Sequence, residues 1–217
     1  RELFASATES VLIAGYRFDH GADLLEPLYQ GMKTRGVQTQ IFLDIERRRG
    51  DPENPHDCAQ LFADRFFHKQ WPWGPPRPEL YYDPRTAAPR TLHSLHAKCV
   101  VIDARRALIG SANFTDRGQT RNIEAGALID DRRFATRLVE HFHGLVHAGH
   151  SLRARSGCPG ARSRSPGAPA WAAGHAEVCR RTLRSHDRPE ADLAAGRPAR
   201  PPGGAAPADR PRGGPGD

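Results

Sequence analysis

A strand, helix and second strand near the start of the chain constrain its fold more than any other feature. Val11–Tyr16 is a short apolar run bounded by polar residues, which is typical of a buried strand. Ala22–Arg35 carries leucines at near-helical spacing, and Gly36 follows where a helix is expected to end. Val37–Leu43 then alternates as a second strand. Two strands joined by a helix form a βαβ unit, which predicts a parallel pair within an α/β fold.

The following residues, up to about residue 150, predict more strands and helices in mixed order. Apolar residues at helical spacing predict helices over His56–Lys69 and Phe134–Val146. Short apolar or alternating runs predict the strands Glu79–Tyr82, Leu95–Ile102, Ala107–Ile109 and Asn122–Ile129. Only four residues separate the second of these strands from the third, which predicts a hairpin and therefore an antiparallel pair. We expect a mixed β-sheet flanked by helices.

The composition changes abruptly at about residue 151. About two thirds of residues 151–217 are Arg, Ala, Pro or Gly, a mixture that buries too little apolar surface to offset the entropy of the chain. We therefore expect one folded domain over 1–150 and a disordered C-terminal tail over 151–217. This tail holds roughly 12 Arg against 6 acidic residues, so it supplies most of the formal net charge of +7. The net positive charge of the whole chain is therefore weak evidence about what the folded domain binds.

Several classes of protein are excluded or disfavoured by what the sequence contains. It has no apolar run of about 18 residues, so we expect no integral membrane association, and no signal-peptide core follows its N-terminus. The 4 cysteines show no CxxC spacing, which favours free thiols. We expect a cytoplasmic protein. Because the chain begins with Arg1 in a helical-looking stretch, we also expect that an N-terminal portion is missing.

The residues that carry chemistry lie between Ser94 and Ile129. Side chains alternate between the two faces of a strand, so residues two apart share a face. Three neighbouring segments each offer such a polar pair among apolar residues. The pairs are His96 with Lys98, Ser111 with Asn113, and Asn122 with Glu124. Polar groups in an apolar setting need partners, which predicts one concave site at the ends of the strands.

The spacing of these residues is specific. The sequence reads HxKxxxxD, then GSxN, then a downstream glutamate, and the residues concerned are His96, Lys98, Asp103, Ser111, Asn113 and Glu124. This combination resembles the phospholipase D superfamily, whose signature is the HKD motif, and the resemblance extends from about residue 1 to residue 145. It implies a phospholipase D-like mixed sheet and a phosphodiesterase activity.

A narrower resemblance is carried by three segments of the chain. They read IFLDIERRRGDPENP, FFHKQWPWGPPRPELYYDPRT and SLHAKCVVIDARRALIGSANFTDRGQTRNIEAGALI. These segments are similar to the phospholipase D-like protein encoded with DISARM antiphage defence systems. That similarity implies a bacterial protein associated with defence against invading DNA.

The superfamily resemblance also implies roles for individual residues. His96 would attack the phosphorus and form a phosphohistidine, and an imidazole is a competent nucleophile near neutral pH. Glu124 would hydrogen-bond the far ring nitrogen of His96. Lys98 and Asn113 would hold the nonbridging phosphate oxygens, with Ser111 at the same edge. Asp103 has an odd offset from His96, so we expect it on the opposite strand face in a structural role.

The chain carries one HKD motif, whereas the mechanism of the family uses two histidines. We therefore expect a homodimer in which two chains share one active site; a second, degenerate site in a missing N-terminal portion is the alternative. No metal or other cofactor is expected, because histidine supplies the nucleophile and lysine the positive charge. Nucleic acid is the expected partner, together with other defence-system proteins. The competing functions are a phospholipase or phosphatidyl transferase, and a catalytically silent phosphate- or DNA-binding subunit.

Two further patterns have more than one interpretation. Trp71 and Trp73 could stack on bases, but packing of their proline-rich loop on the core is the favoured interpretation. His143 and His147 lie four residues apart, a spacing that can bind zinc, yet no third ligand is patterned with them. A solvated helix is the favoured interpretation there.

Overall fold

The computed structural model describes residues 1–154 and contains one mixed β-sheet flanked by helices, which confirms the predicted fold class. In this part of the chain the strands are β1 (Ser10–Gly15), β2 (Gln38–Leu43), β3 (Glu79–Tyr82), β4 (Lys98–Ile102), β5 (Arg106–Gly110), β6 (Gly126–Asp130) and β7 (Leu152–Ala154). The helices are α1 (Glu2–Ala5), α2 (Gly21–Arg35), α3 (Pro55–Gln70), α4 (Asp116–Thr120) and α5 (Arg132–His147).

The topology of the sheet brings three strand ends to one edge. The strand order is β6-β5-β4-β1-β2-β3-β7. β1, β2 and β3 are parallel, and α2 joins the first two, so the predicted βαβ unit is confirmed. β4 runs antiparallel to β1, with Lys98 opposite Gly15. The start of β4 therefore lies beside the carboxyl ends of β1 and β2.

The helix ends follow from local residue chemistry. α2 ends where Gly36 adopts a left-handed φ of 73°, a conformation that glycine reaches without a steric penalty. α3 begins after Asn54, whose side chain accepts hydrogen bonds from the amides of His56 and Asp57. α5 begins after Asp131, whose carboxylate accepts from the amide of Phe134. Capped ends of this kind satisfy backbone donors that a helix leaves unpaired.

The core lies on both faces of the sheet. On one face, side chains of α1, α2 and α3 pack against alternate residues of β1, β2 and β4, among them Ile13 and Val100. On the other face α5 packs through Phe142 against the intervening residues, among them Ala14 and Val101. Covering both faces leaves the strand ends as the place where polar side chains can gather.

Two predicted strands are shorter than expected at their N-terminal ends. β4 begins at Lys98 instead of Leu95, and β6 begins at Gly126 instead of Asn122. Pairing of β4 with β1 starts at Lys98, and the amide of Leu95 donates to the side chain of Asp44 instead of to a strand. His96 and Glu124 therefore lie on loops, and strand alternation does not decide which way they face.

The folded region extends past its expected limit at residue 150. β7 pairs antiparallel with β3, with Leu152 opposite Tyr82 and Ala154 opposite Leu80. Residues 151–154 were expected in the tail because Leu152–Ala154 is too short to display a hydrophobic pattern. The remainder of the predicted tail, 155–217, lies outside the described residues.

The tryptophans of the proline-rich segment pack on the core. Trp71 is 1% exposed, and its indole nitrogen donates to the carbonyls of Gly74 and Pro76 at 3.0 Å each. Trp73 stacks on Tyr29 with ring centroids 5.1 Å apart. The favoured packing interpretation is therefore the one that the structure supports. Within residues 1–154, no helix has the length and apolar content needed to cross a membrane.

Candidate active site

His96 lies on the loop that leads into β4, at the edge where β1 and β2 end. Its side chain is exposed. The imidazole ring contacts the phenol ring of Tyr16, with centroids 4.7 Å apart and planes inclined by 58°. Tyr16 directly follows β1, so the paired strands place an aromatic surface beneath the histidine. Because the imidazole is exposed, it is accessible to a substrate.

Lys98 contacts the same tyrosine. Its ammonium lies 5.2 Å from the centroid of the Tyr16 ring, within the range of a cation–π interaction, and donates a 2.9 Å hydrogen bond to the carbonyl of His96. Partial burial lowers the pKa of Lys98, while the charge of Glu124 acts in the opposite direction. One aromatic ring therefore holds the predicted nucleophile and the predicted phosphate-binding cation side by side.

Asp44 anchors the loop that carries His96. It follows β2, and one of its carboxylate oxygens accepts a 2.7 Å hydrogen bond from the amide of Leu95. Burial raises the pKa of Asp44, whereas the bond from Leu95 and the nearby His96 lower it in part. Tyr16 and Asp44 are site residues that the sequence did not single out. Tyr16 is the last residue of the first predicted strand of the βαβ unit, and Asp44 directly follows the second. Those positions were the available signal, because ligands bind outside the carboxyl ends of parallel strands.

Glu124 and Ser111 form a hydrogen-bonded cluster where β5 ends and β6 begins. The Ser111 hydroxyl donates to one carboxylate oxygen of Glu124 at 2.5 Å, and Asn122 donates to the other at 2.9 Å. These two bonds, with the charge of Lys98, lower the pKa of Glu124. The cluster thus holds a carboxylate near Lys98.

The implied hydrogen bond from Glu124 to His96 is absent among residues 1–154, where both oxygens of Glu124 bond to its own cluster. The physical reason is the late start of β4. His96 precedes the strand and lies against Tyr16, whereas Lys98 is the first residue inside the sheet.

Asn113 is held by tight backbone packing. A side chain at Gly118 would bring its Cβ within 2.5 Å of the Asn113 carbonyl oxygen, so only glycine allows this close approach. Within residues 1–154, the side-chain oxygen of Asn113 is buried and has no hydrogen-bond partner. A buried polar atom left unpaired is uncommon and calls for an explanation. Because an amide oxygen accepts hydrogen bonds, only a group that carries a donor would pair with it.

Asp103 lies at the opposite end of β4 from Lys98. It occupies the tight turn to β5 with a left-handed φ of 52°. Its carboxylate accepts hydrogen bonds from the amides of Thr8, Glu9 and Ser10 at 2.8–3.2 Å, and from the Thr8 hydroxyl at 2.8 Å. Asp103 therefore joins the β4–β5 turn to the segment that enters β1, away from the other motif residues.

This contact pattern predicts a stability effect. Replacing Asp103 with alanine leaves several donors without their charged acceptor and should lower the free energy of unfolding by about 2 kcal/mol. Burial acts to raise the pKa of Asp103, but the bonds from Ser10, Glu9 and Thr8 outweigh it and the pKa is lowered from 3.8. The stabilisation is therefore complete above about pH 4 and is lost as the pH falls through the depressed pKa.

Urea unfolding at pH 7 and at pH 3 measures this effect. The control is Asp64→Ala, which removes an exposed carboxylate of α3. Equal urea midpoints of unfolding for Asp103→Ala and the control at pH 7 would contradict the structural role of Asp103.

The arrangement suits a substrate phosphate. A neutral imidazole can attack phosphorus, an ammonium and an amide can bind its oxygens, and all three groups lie at one sheet edge. Within residues 1–154, no three His, Cys, Asp or Glu side chains are grouped so that they could hold a metal ion. The favoured interpretation of a solvated helix is wrong for His143, which is buried at 7% exposure and whose ring contacts the side chain of Gln40, with Nε2 and Oε1 2.8 Å apart.

Residues 1–146 match a known protein family. The family described as cardiolipin synthase, phospholipase D-like domain, matches residues 1–146. The chain belongs to this family. This match confirms the phospholipase D-like resemblance at the level of the family. The matched residues include every residue of the candidate active site.

Similar solved structures come from several bacteria. The phospholipase D family member Nuc from Salmonella typhimurium is 22% identical, with a TM-score of 0.47, and the match covers 71% of this chain and 88% of that one. NucT from Helicobacter pylori is 18% identical, with a TM-score of 0.49 and coverage of 70% and 86%. Phosphatidylserine synthase from Haemophilus influenzae is 16% identical, with a TM-score of 0.44 and coverage of 70% and 35%. No curated protein sequence matches the chain.

Proposed function

We propose that this phospholipase D-like protein is a nuclease-like phosphodiesterase that acts through a phosphohistidine on His96. The observation that carries the proposal is the contact of His96 and Lys98 with one ring, that of Tyr16, at 4.7 and 5.2 Å. Such a pairing fixes a nucleophile beside the cation that would bind the phosphate under attack. The amide of Asn113 lies at the same edge, and its NH2 group can donate a hydrogen bond to a phosphate oxygen.

The proposed reaction has two steps. In the first, a ring nitrogen of His96 forms a bond to phosphorus, the bond from phosphorus to the leaving oxygen breaks, and a general acid protonates that oxygen. In the second, water gives a proton to the same group, now a base, and displaces His96 from phosphorus. Lys98 and Asn113 stabilise the charge on the nonbridging oxygens in both steps. Ser111 fixes the carboxylate of Glu124 by a hydrogen bond, and the negative charge of Glu124 favours the protonated form of Lys98.

The general acid is proposed to be His96 of a second copy of the chain. Apolar side chains near the site support such a dimer: Leu92 is 99% exposed, Ile123 fully exposed, and Leu128 of the edge strand β6 56% exposed. Leu92 lies on the His96 loop, and Ile123 directly precedes Glu124. An exposed edge strand and apolar surface of this kind favour association with another chain.

Nucleic acid is the proposed substrate, and DISARM-type bacterial antiphage defence the proposed setting. Support for the setting comes from the similarity of three sequence segments to the phospholipase D-like protein of those systems, and other defence proteins are the proposed partners. The test of this setting is whether deletion of the gene in its native host raises the plaquing efficiency of phages.

A lipid substrate is the second candidate, because one observation favours it. A mainly apolar cavity of about 220 Å³ reaches Lys98 and Glu124, and its lining includes Phe4, Leu24 and Leu108. An acyl chain could occupy such a space beside a bound phosphate. A phospholipase or phosphatidyl transferase would use it.

A substrate panel tests the proposed activity. The full-length protein is incubated in EDTA with single-stranded DNA, duplex DNA, RNA and phosphatidylcholine vesicles. We expect hydrolysis of a nucleic acid at a rate that EDTA leaves unchanged, because His96 supplies the nucleophile and Lys98 the positive charge. Full inhibition by the chelator would contradict the mechanism. Hydrolysis of the vesicles alone would favour the lipid function, and binding of DNA without turnover of any substrate would indicate a silent subunit.

A further inference from the structure

A cleft opens at the carboxyl ends of β1 and β2, beside the candidate active site. Its volume is about 60 Å³, which is enough for a small anionic group with water. Cationic side chains from three segments line it: Arg17 after β1, Arg48 after β2, and Arg65 and Lys69 of α3. Tyr16 lines the cleft as well, and its ring also contacts His96 and Lys98. Tyr16 therefore belongs to both the cleft and the candidate active site.

The charges in this cleft are only partly compensated. Arg17 pairs with Glu46 at 2.6 Å, and Arg65 pairs with Asp51 at 2.8 Å. Arg48 and Lys69 are exposed, and among residues 1–154 neither is part of an ion pair.

Asp44 is the remaining carboxylate of the lining besides Glu46, and the bond from the uncharged amide of Leu95 leaves its charge uncompensated. The four cations of the lining still outnumber its two carboxylates, so the cleft attracts an anion. Arginine and lysine side chains both bind phosphate oxygens through charge-assisted hydrogen bonds.

We propose that this cleft binds a phosphate next to the scissile one along a nucleic-acid strand, with Arg48 and Lys69 as its ligands. The proposal rests on the proposed phosphodiesterase function. A substrate with one phosphodiester fills only the site at His96 and Lys98. A second cationic site across Tyr16 serves a substrate with phosphates in series, which is the chemistry of a nucleic-acid backbone.

Kinetics with two substrates test the cleft in the full-length protein. One substrate is a single-stranded DNA oligonucleotide, and the other is bis(4-nitrophenyl) phosphate, which has a single phosphodiester. In the double variant Arg48→Ala, Lys69→Ala, the ratio of kcat/KM for the oligonucleotide to that for the small substrate should fall about tenfold or more. The slope of log kcat/KM against log salt for the oligonucleotide should also become shallower, by about 1.4 for two lost phosphate contacts.

A charge-matched control separates a site from a general loss of positive charge. Arg132→Ala, Arg133→Ala removes two exposed arginines at the start of α5. This helix follows Asp130, the last residue of β6, whereas the candidate site lies near Gly126, the first residue of that strand. This control should keep the wild-type ratio of the two kcat/KM values. Equal losses in the two double variants would overturn the proposal.

Other outcomes separate this proposal from the proposed function. A wild-type ratio in Arg48→Ala, Lys69→Ala, with both substrates still hydrolysed, would overturn the cleft and leave the phosphodiesterase intact. If the wild-type protein hydrolyses neither substrate, the proposed function fails, and fluorescence anisotropy of a labelled oligonucleotide then tests the cleft by itself. In that case an unchanged Kd in the double variant overturns it, and a Kd raised about tenfold or more supports it.

Discussion

Replacing His96 with asparagine is expected to reduce phosphodiester hydrolysis by at least about 10⁴-fold, the scale of loss that follows removal of a catalytic nucleophile. Asparagine keeps polar atoms of similar reach but cannot form the phosphoenzyme. The fold should be unaffected, because the His96 side chain is exposed and lies on a loop. Initial rates with bis(4-nitrophenyl) phosphate and an oligonucleotide measure the loss, and thermal unfolding checks the fold.

The matched control for this variant is His93→Asn. His93 lies three residues earlier on the same loop and is also exposed. It should retain activity close to that of the wild type. A His96→Asn variant that keeps activity within severalfold of the wild type would contradict the phosphohistidine mechanism. Loss of activity in the His93 variant alone would indicate that His93 is the nucleophile.

The same variant distinguishes a shared site from two independent sites. Wild-type and His96→Asn chains are mixed in equal amounts and left to exchange subunits. If each active site needs both histidines, only the wild-type pairs act, and about one quarter of the activity of the same total amount of wild type remains. If each chain acts alone, about half remains, and the proposed dimer mechanism is wrong.

Replacing Lys98 with alanine is expected to lower kcat/KM by about 10²–10³-fold, the range seen when one donor to a developing charge is removed. The ammonium is proposed to stabilise charge on the phosphate oxygens, and no other cation contacts the Tyr16 ring within residues 1–154. Steady-state kinetics with both substrates measure the effect. Activity within about fivefold of the wild type would remove Lys98 from the phosphate site.

The pH dependence gives an independent test of the same lysine. Burial lowers the pKa of Lys98 from its usual 10.5, so the wild-type activity should decline at a lower pH than an unperturbed lysine would allow. The Lys98→Arg variant keeps a positive charge throughout this range, because arginine is not deprotonated in proteins. It should recover part of the activity lost in Lys98→Ala. The decline that deprotonation of the general acid causes should remain, and the further decline at higher pH that deprotonation of Lys98 causes should disappear. A further decline that stays in place in Lys98→Arg would assign it to a group other than Lys98.

The motif residues of the candidate site could be identified from the sequence, whereas their supports could not. His96, Lys98, Asn113 and Glu124 stand at spacings that identify the family, and the match to the family over residues 1–146 agrees with that identification. Tyr16, by contrast, is a single residue after a strand, with no motif of its own. It reaches His96 only because β1 and β4 pair with Gly15 opposite Lys98.

The roles of two motif residues show where spacing stops being informative. Glu124 was expected on a strand facing His96, but β6 begins two residues later, and Glu124 bonds to Ser111 instead. The contacts of Asp103 come from the segment before β1, more than 90 positions away in the chain. No sequence pattern near Asp103 predicts those partners.

Helix and strand identity in this protein depends on neighbours within a few residues, and so it can be read from the chain alone. The periodicity of Ala22–Arg35, the stop at Gly36 and the apolar run at Val11–Tyr16 are signals of this kind, and they predict the βαβ unit. The limits of a strand depend on pairing partners that are distant in the sequence. β4 begins where β1 offers a partner, and β7 exists because β3 has a free edge. Backbone hydrogen bonds across those pairs, which form only in the folded chain, decide which residues enter the sheet and which remain on loops to form the site.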